Sequence, residues 1–255
     1  MLPILEQMLL HGALIGLRIA AVMSFAPFFT STSFPPRLKG ALTIVLTALL
    51  YPVCPVPATP LTPGGWTSVV LSETVLGLAM GLSLQFIFEG VLVAGQIGGF
   101  QLGFSLVNVI DPQTNVDTPV LSTFHQLLVL LLFLQLNVHH WILRALEKSF
   151  DYVPVGSVVI SSVMMKELFR DAAAMFLVGI QIAAPLLFAT VVIDVTVGFL
   201  SKASPQLPAI LLSIPLKSLA GYSVLAIAIG LWPAFFERKF ALALGWSERL
   251  LRLAH

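Results

Sequence analysis

Five ionisable residues stand inside long apolar runs: Arg18, Glu73, Glu89, Asp194 and Lys217. Each would be costly in hydrocarbon, so each is expected to face protein or water. Residues of this kind can pair, relay protons or bind ions. Asp194 and Lys217 lie on consecutive apolar runs and are expected to form a buried charge pair between two helices. A pair that orients helices is favoured over one that couples ion movement. His139-His140 is the other candidate for chemistry. Neighbouring helical residues point about 100° apart and make poor joint metal ligands. Beside Trp141 they read as an interfacial pair instead. The sequence has no HExxH, no cluster of acids, no GxSxG, no P-loop and no paired-carboxylate pattern. The single cysteine, Cys54, rules out an internal disulfide and is too little for a metal site. The chain is expected to have no catalytic residue, no metal and no cofactor.

The elements that carry these residues belong to a membrane protein. Of 255 residues, 58% are hydrophobic and only 10% charged, against roughly 25% charged in a soluble domain. Mean hydropathy is +0.98. The net charge of +1 gives no ground for nucleic-acid binding. No Lys or Arg precedes Arg18, so the first apolar run lacks the basic flank of a cleavable signal and is expected to stay.

The fold class is all-α: a polytopic membrane protein with about six long apolar helical segments. They run at about 8–29, 40–58, 69–94, 120–143, 172–200 and 207–233. The second is marginal against the ~20 residues a spanning helix needs. A proline-rich linker follows it, from Pro52 to Pro63. The region Arg144–Asp171 carries balanced charges and reads as a water-exposed connection with short helices at both ends. Arg144, Lys148, Lys166, Arg170, Arg238, Lys239, Arg249 and Arg252 would share the cytoplasmic side with both termini. Arg37, Lys39 and Lys202 would lie opposite. The tail from Phe235 is amphipathic and is expected to lie on a membrane surface or a partner.

One stretch stands apart from ordinary spans. Gly95, Gly99 and Gly103 recur every four residues and would stack on one helix face, allowing close helix packing. Phe104, Leu106, Val107, Val109 and Ile110 follow as an apolar run. The chain then breaks at Asp111-Pro112 and restarts at Thr118-Pro119, a cap and a first helical position. A loop at membrane depth must lie against protein or line a wet cavity. Apolar side chains there suit a constriction that stops ions by excluding water. Two other classes stay open on the residues alone. One is an ion-coupled secondary transporter built around Asp194 and Lys217. The other is a lipid-modifying enzyme using His139 and His140.

The run from Gly95 to Phe150, GQIGGFQLGFSLVNVIDPQTNVDTPVLSTFHQLLVLLLFLQLNVHHWILRALEKSF, resembles the FliR family of flagellar type III export-gate proteins. SPQLPAILLSIPLK resembles its second recurring stretch, and VVIDVTVGFLSKASPQ leads into it in the expected order. The chain departs from the family pattern at Pro208 and Ile214. The His139-His140-Trp141 stretch is nearer the flagellar branch than the injectisome (SctT) branch, which is the alternative. The resemblance implies a chain of helical hairpins with a FliP-like part, 1–171, and a FliQ-like part, 172–255, ending in the amphipathic tail. It implies assembly with FliP-like and FliQ-like subunits into a pore in the bacterial inner membrane, at the flagellar basal body. FlhA-like and FlhB-like proteins would work with that pore, and unfolded flagellar proteins would pass through it. A loop near 104–116 would plug it, with Phe104, Leu106, Val107, Val109 and Ile110 as the apolar seal. Membrane lipids and no nucleic acid would complete the list of partners.

Overall fold

The computed structural model describes residues 2–30, 35–54, 63–104, 120–204, 206 and 209–254, and every regular element among them is helical. The helices are α1 (Leu2–Phe25), α2 (Pro27–Thr30), α3 (Pro36–Leu50), α4 (Pro63–Gln101), α5 (Val120–Gln135), α6 (Val138–Tyr152), α7 (Ser162–Ala203) and α8 (Ala209–Leu253). Leu106, Val107, Val109 and Ile110 lie outside the described residues.

Spans among the described residues are fewer than the six expected. Four helices are long and apolar enough to cross a membrane: α1, α4, α7 and α8. A fifth span exists only if α5 and α6 count as one broken crossing, bent by 65°. The reasons are local. α3 has 15 residues, about 22 Å of helix against a hydrocarbon core of about 30 Å. The fourth apolar segment breaks at Asn137, whose φ of 55° is left-handed, a conformation that Asn tolerates better than most residues. Conversely, α4, α7 and α8 have 39, 42 and 45 residues, so each measures about 59–68 Å and outruns a single crossing.

The chain divides into two compact units. Unit 1 comprises Met1–Ile87, Phe133–Ala173 and Lys239–His255. Within it, α4 lies directly on α1. A Cβ on Gly77 would stand 2.5 Å from the Arg18 carbonyl oxygen, and one on Gly81 would stand 2.9 Å from that of Val22. Only glycine allows so close an approach. α6 buries one face, Val138, Ile142, Leu146, Ser149 and Phe150, at helical spacing. The tail departs from the expectation of a surface helix. It continues α8 without a break, and its apolar stripe, Phe240, Ala243, Ser247, Leu250, Leu251 and Ala254, is buried within this unit. The Val159 amide donates to the Ala254 carbonyl at 2.8 Å, and Ser161 Oγ donates to that of Leu253 at 3.3 Å. Carbonyls that a helix end leaves unpaired thus find donors in the α6–α7 connection.

Unit 2 comprises Phe88–Leu132 and Ala174–Arg238. Its core holds Leu102, Leu121 and Leu186, with Leu225 packed against them. α4 and α7 meet backbone to backbone here. A Cβ on Gly90 would fall 2.7 Å from the Met175 carbonyl oxygen, and one on Gly179 would fall 3.0 Å from that of Gly90. The outer faces of α7 and α8 expose Phe176, Phe188, Phe199, Leu219, Ile227 and Leu231. In a chain with these spans, such faces belong against lipid or other protein.

Candidate functional site

The end of α4 is built by three residues singled out in the sequence. The Gly103 amide donates to the Phe100 carbonyl at 3.2 Å, and the Phe104 amide reaches back to that of Gly99 at 3.0 Å. This is the Schellman arrangement, which needs a left-handed residue just past the helix. Gly103 fills that position with φ 85°. The Phe104 ring folds back over the last turn, 4.0 Å from where a Gly99 Cβ would stand. Phe104 stays 40% exposed.

Gly95 sits further back on α4 and meets α5. A Cβ there would run into the Cα, amide nitrogen and Oγ of Ser122. Ser122 Oγ also donates to the Leu92 carbonyl at 3.2 Å. The first turn of α5 is therefore clamped to α4. The same cluster then joins both helix ends. A Cβ on Gly98 would lie 2.8 Å from Leu186 and 2.9 Å from Leu121. A Cβ on Gly221, on α8, would collide with Leu102 and come within 2.9 Å of Leu186. Residues 102 and 121 thus pack in one apolar knot.

Asp194 and Lys217 also lie in unit 2. Lys217 Nζ stands 2.6 Å from Asp194 Oδ1, with side chains 16% and 47% exposed respectively. The lysine is mostly enclosed, while the carboxylate keeps half of its surface open.

A second polar centre, in unit 1, was missed as a pair by sequence reasoning. Arg18 and Glu73 are both fully buried, and Arg18 Nε donates to Glu73 Oε2 at 2.6 Å. Arg18 Nη1 donates to the carbonyls of Ser149 and Val153, each at 3.0 Å, and lies 3.3 Å from Ser149 Oγ. The guanidinium stacks over the Phe150 ring at 4.4 Å, a cation–π contact. Glu73 Oε1 accepts from the Gly156 amide at 2.8 Å. One ion pair therefore ties α1, α4, the end of α6 and the following connection. A signal for it exists in the sequence. Glu73, Gly77 and Gly81 are four apart and share a helix face, so the face that meets α1 carries the acid.

His139 and His140 have ring centroids 4.2 Å apart, with Phe133 6.4 Å from His139. Among the described residues there is no group of three or more His, Cys, Asp or Glu able to hold a metal.

The long apolar helices and the packed helix ends define a polytopic helical membrane protein. A sequence model of the family "Bacterial export proteins, family 1" matches residues 9–243. The flagellar biosynthetic protein FliR of Escherichia coli (strain K12) is 31% identical over 225 residues, which cover 88% of this chain and 86% of that protein. FliR of Bacillus subtilis (strain 168) is 26% identical over 243 residues, 94% of each chain. That of Caulobacter vibrioides is 24% identical over 247 residues, covering 95% of this chain and 93% of that one. The chain belongs to the FliR family of bacterial export proteins.

Proposed function

We propose that this chain is an integral inner-membrane subunit of the flagellar type III protein-export gate. It assembles with FliP-like and FliQ-like subunits into the pore and works with FlhA-like and FlhB-like proteins. Unfolded flagellar proteins are the cargo. Its role is structural and gating, not enzymatic. The observation that carries this reading is the similarity to flagellar FliR proteins along nearly the whole chain. Residues 1–171 act as the FliP-like part and 172–255 as the FliQ-like part.

Within that gate, the segment near 104–116 seals the closed pore. The apolar side chains Phe104, Leu106, Val107, Val109 and Ile110 exclude water, and with it ions. Gly95 serves close packing at the seal's base; Gly99 and Gly103, expected to do the same, meet no close neighbour among the described residues, and Gly103 instead ends α4. Two observations support this reading. Phe104 is 40% exposed, and the end of α4 and the start of α5 share one buried apolar cluster. A seal has to hold against thermal motion, and a fixed base reduces the conformational freedom it must give up. The Asp194–Lys217 pair fixes α7 to α8 across the turn between them. The test is ion leakage. Val109→Asp and Ile110→Asp, in assembled complexes, should raise the ion permeability of the closed state. Well-expressed, assembled variants with unchanged permeability would remove the seal assignment.

A further inference from the structure

His125, on α5, is 3% exposed, and neither ring nitrogen has a hydrogen-bond partner among the described residues. A buried imidazole without a partner is costly, because each nitrogen has left water and gained nothing. The ring lines a small cavity in unit 2. Ala94, Leu121, Pro185, Leu186, Gly221 and Trp232 are among its walls. The space open to the centre of a water molecule is about 20 Å³, and one water needs roughly 10–15 Å³ by that measure. The His125 and Trp232 rings meet edge to face with centroids 5.1 Å apart. Among the described lining residues from α4, α5, α7 and α8, His125 alone can take up a proton and none carries a charge.

We propose that this cavity is a proton site: His125 holds one water there and reversibly takes up a proton from solvent. The water answers one of the two unpaired nitrogens. Proton gain makes both ring nitrogens donors and puts a positive charge among apolar walls with no counter-charge. That charge draws further water, so the knot of Leu121, Leu186 and Gly221 loosens when the ring is protonated and closes when it is neutral. On uptake a ring N–H bond forms as an O–H bond of hydronium breaks, and on release the reverse occurs, with no change of oxidation state. The proposal stands apart from the export reading and does not need it.

Trp232 reports directly on the ring, since a protonated imidazole in contact quenches indole emission and hydration moves that emission to the red. The test uses the full chain in lipid nanodiscs with Trp66, Trp141 and Trp246 replaced by Phe, leaving Trp232 as the single emitter. Acidification from about pH 8 to about pH 4, across the range in which a histidine can change charge, should give a reversible loss of emission with a red shift. Both changes should vanish in His125→Gln, which keeps a polar partner for the water but cannot take up a proton there. His125→Phe gives a second non-titrating background, and circular dichroism checks that each variant is helical. Silence with His125 present overturns the proposal. So does an identical acid response in a folded variant of either kind.

Discussion

Removing the Glu73 carboxylate strands the buried Arg18 cation. Arg18 and Glu73 are both wholly enclosed, so no solvent takes over when one is lost. Breaking a buried pair by deleting one partner costs about 3–5 kcal/mol. For a chain of this size a kcal/mol moves the melting midpoint by about 2–4 °C, so Glu73→Ala should lower it by ~6–20 °C. Replacing both, as Arg18→Met with Glu73→Leu, removes the stranded charge. It still leaves the Gly156 amide and the carbonyls of Ser149 and Val153 without their present partners, at about 1–3 kcal/mol for each buried group that finds no other. The double variant should therefore lose clearly less than the two single losses added together. The assay is built into the chain. Cys54 is the single cysteine and is buried in the same unit, so a thiol-reactive dye on the heated protein reports when unit 1 opens. Burial also pushes the Cys54 thiol up from its ordinary pKa, which keeps it unreactive in the folded state. A Glu73→Ala midpoint equal to that of the parent chain, or strictly additive losses in the double variant, would show that no buried charge is stranded at Arg18.

Two further outcomes follow from the packed helix ends. Gly95→Ala should destabilise by about 1–3 kcal/mol through overpacking, because its methyl would meet the backbone of Ser122. Gly99→Ala, with only the Phe104 ring in reach among the described residues, should be close to neutral; equal losses at both sites would contradict the geometry. Gly103→Val should cost at least about 1 kcal/mol, because a β-branched residue is strained at positive φ. A Gly103→Asn variant should lose less, and thermal midpoints of the two distinguish them.

Much of this architecture is legible in residue types. The long runs that become α1, α4, α7 and α8 announce themselves by length and apolarity. The glycines at 77 and 81 mark where α4 meets α1, and Gly95 marks where it meets α5. Other features needed the third dimension. Arg18 and Glu73 are 55 residues apart, and hydropathy gives no reason to join the first run to the third. Asp194 and Lys217 could be joined because their runs are consecutive, but the half-open surface of Asp194 could not be read. Gly103 shares the spacing of Gly95 and Gly99, yet spacing does not say where a helix ends. Its positive φ makes it the stop rather than one more turn. The fourth run looked like a single span because Asn137 is one polar residue among many apolar ones. The tail looked like a surface helix because an amphipathic pattern states that one face is covered and not by what. The cavity at His125 had no signal of its own: a lone histidine in an apolar run is silent until its neighbours are in place.

Purification of the tagged chain from native membranes asks whether it belongs to a multi-subunit export gate. FliP-like and FliQ-like proteins should co-purify with it in one stable complex. A chain that emerges alone, or as a symmetric assembly of its own copies, with export of flagellar subunits unaffected by its deletion, would contradict that membership.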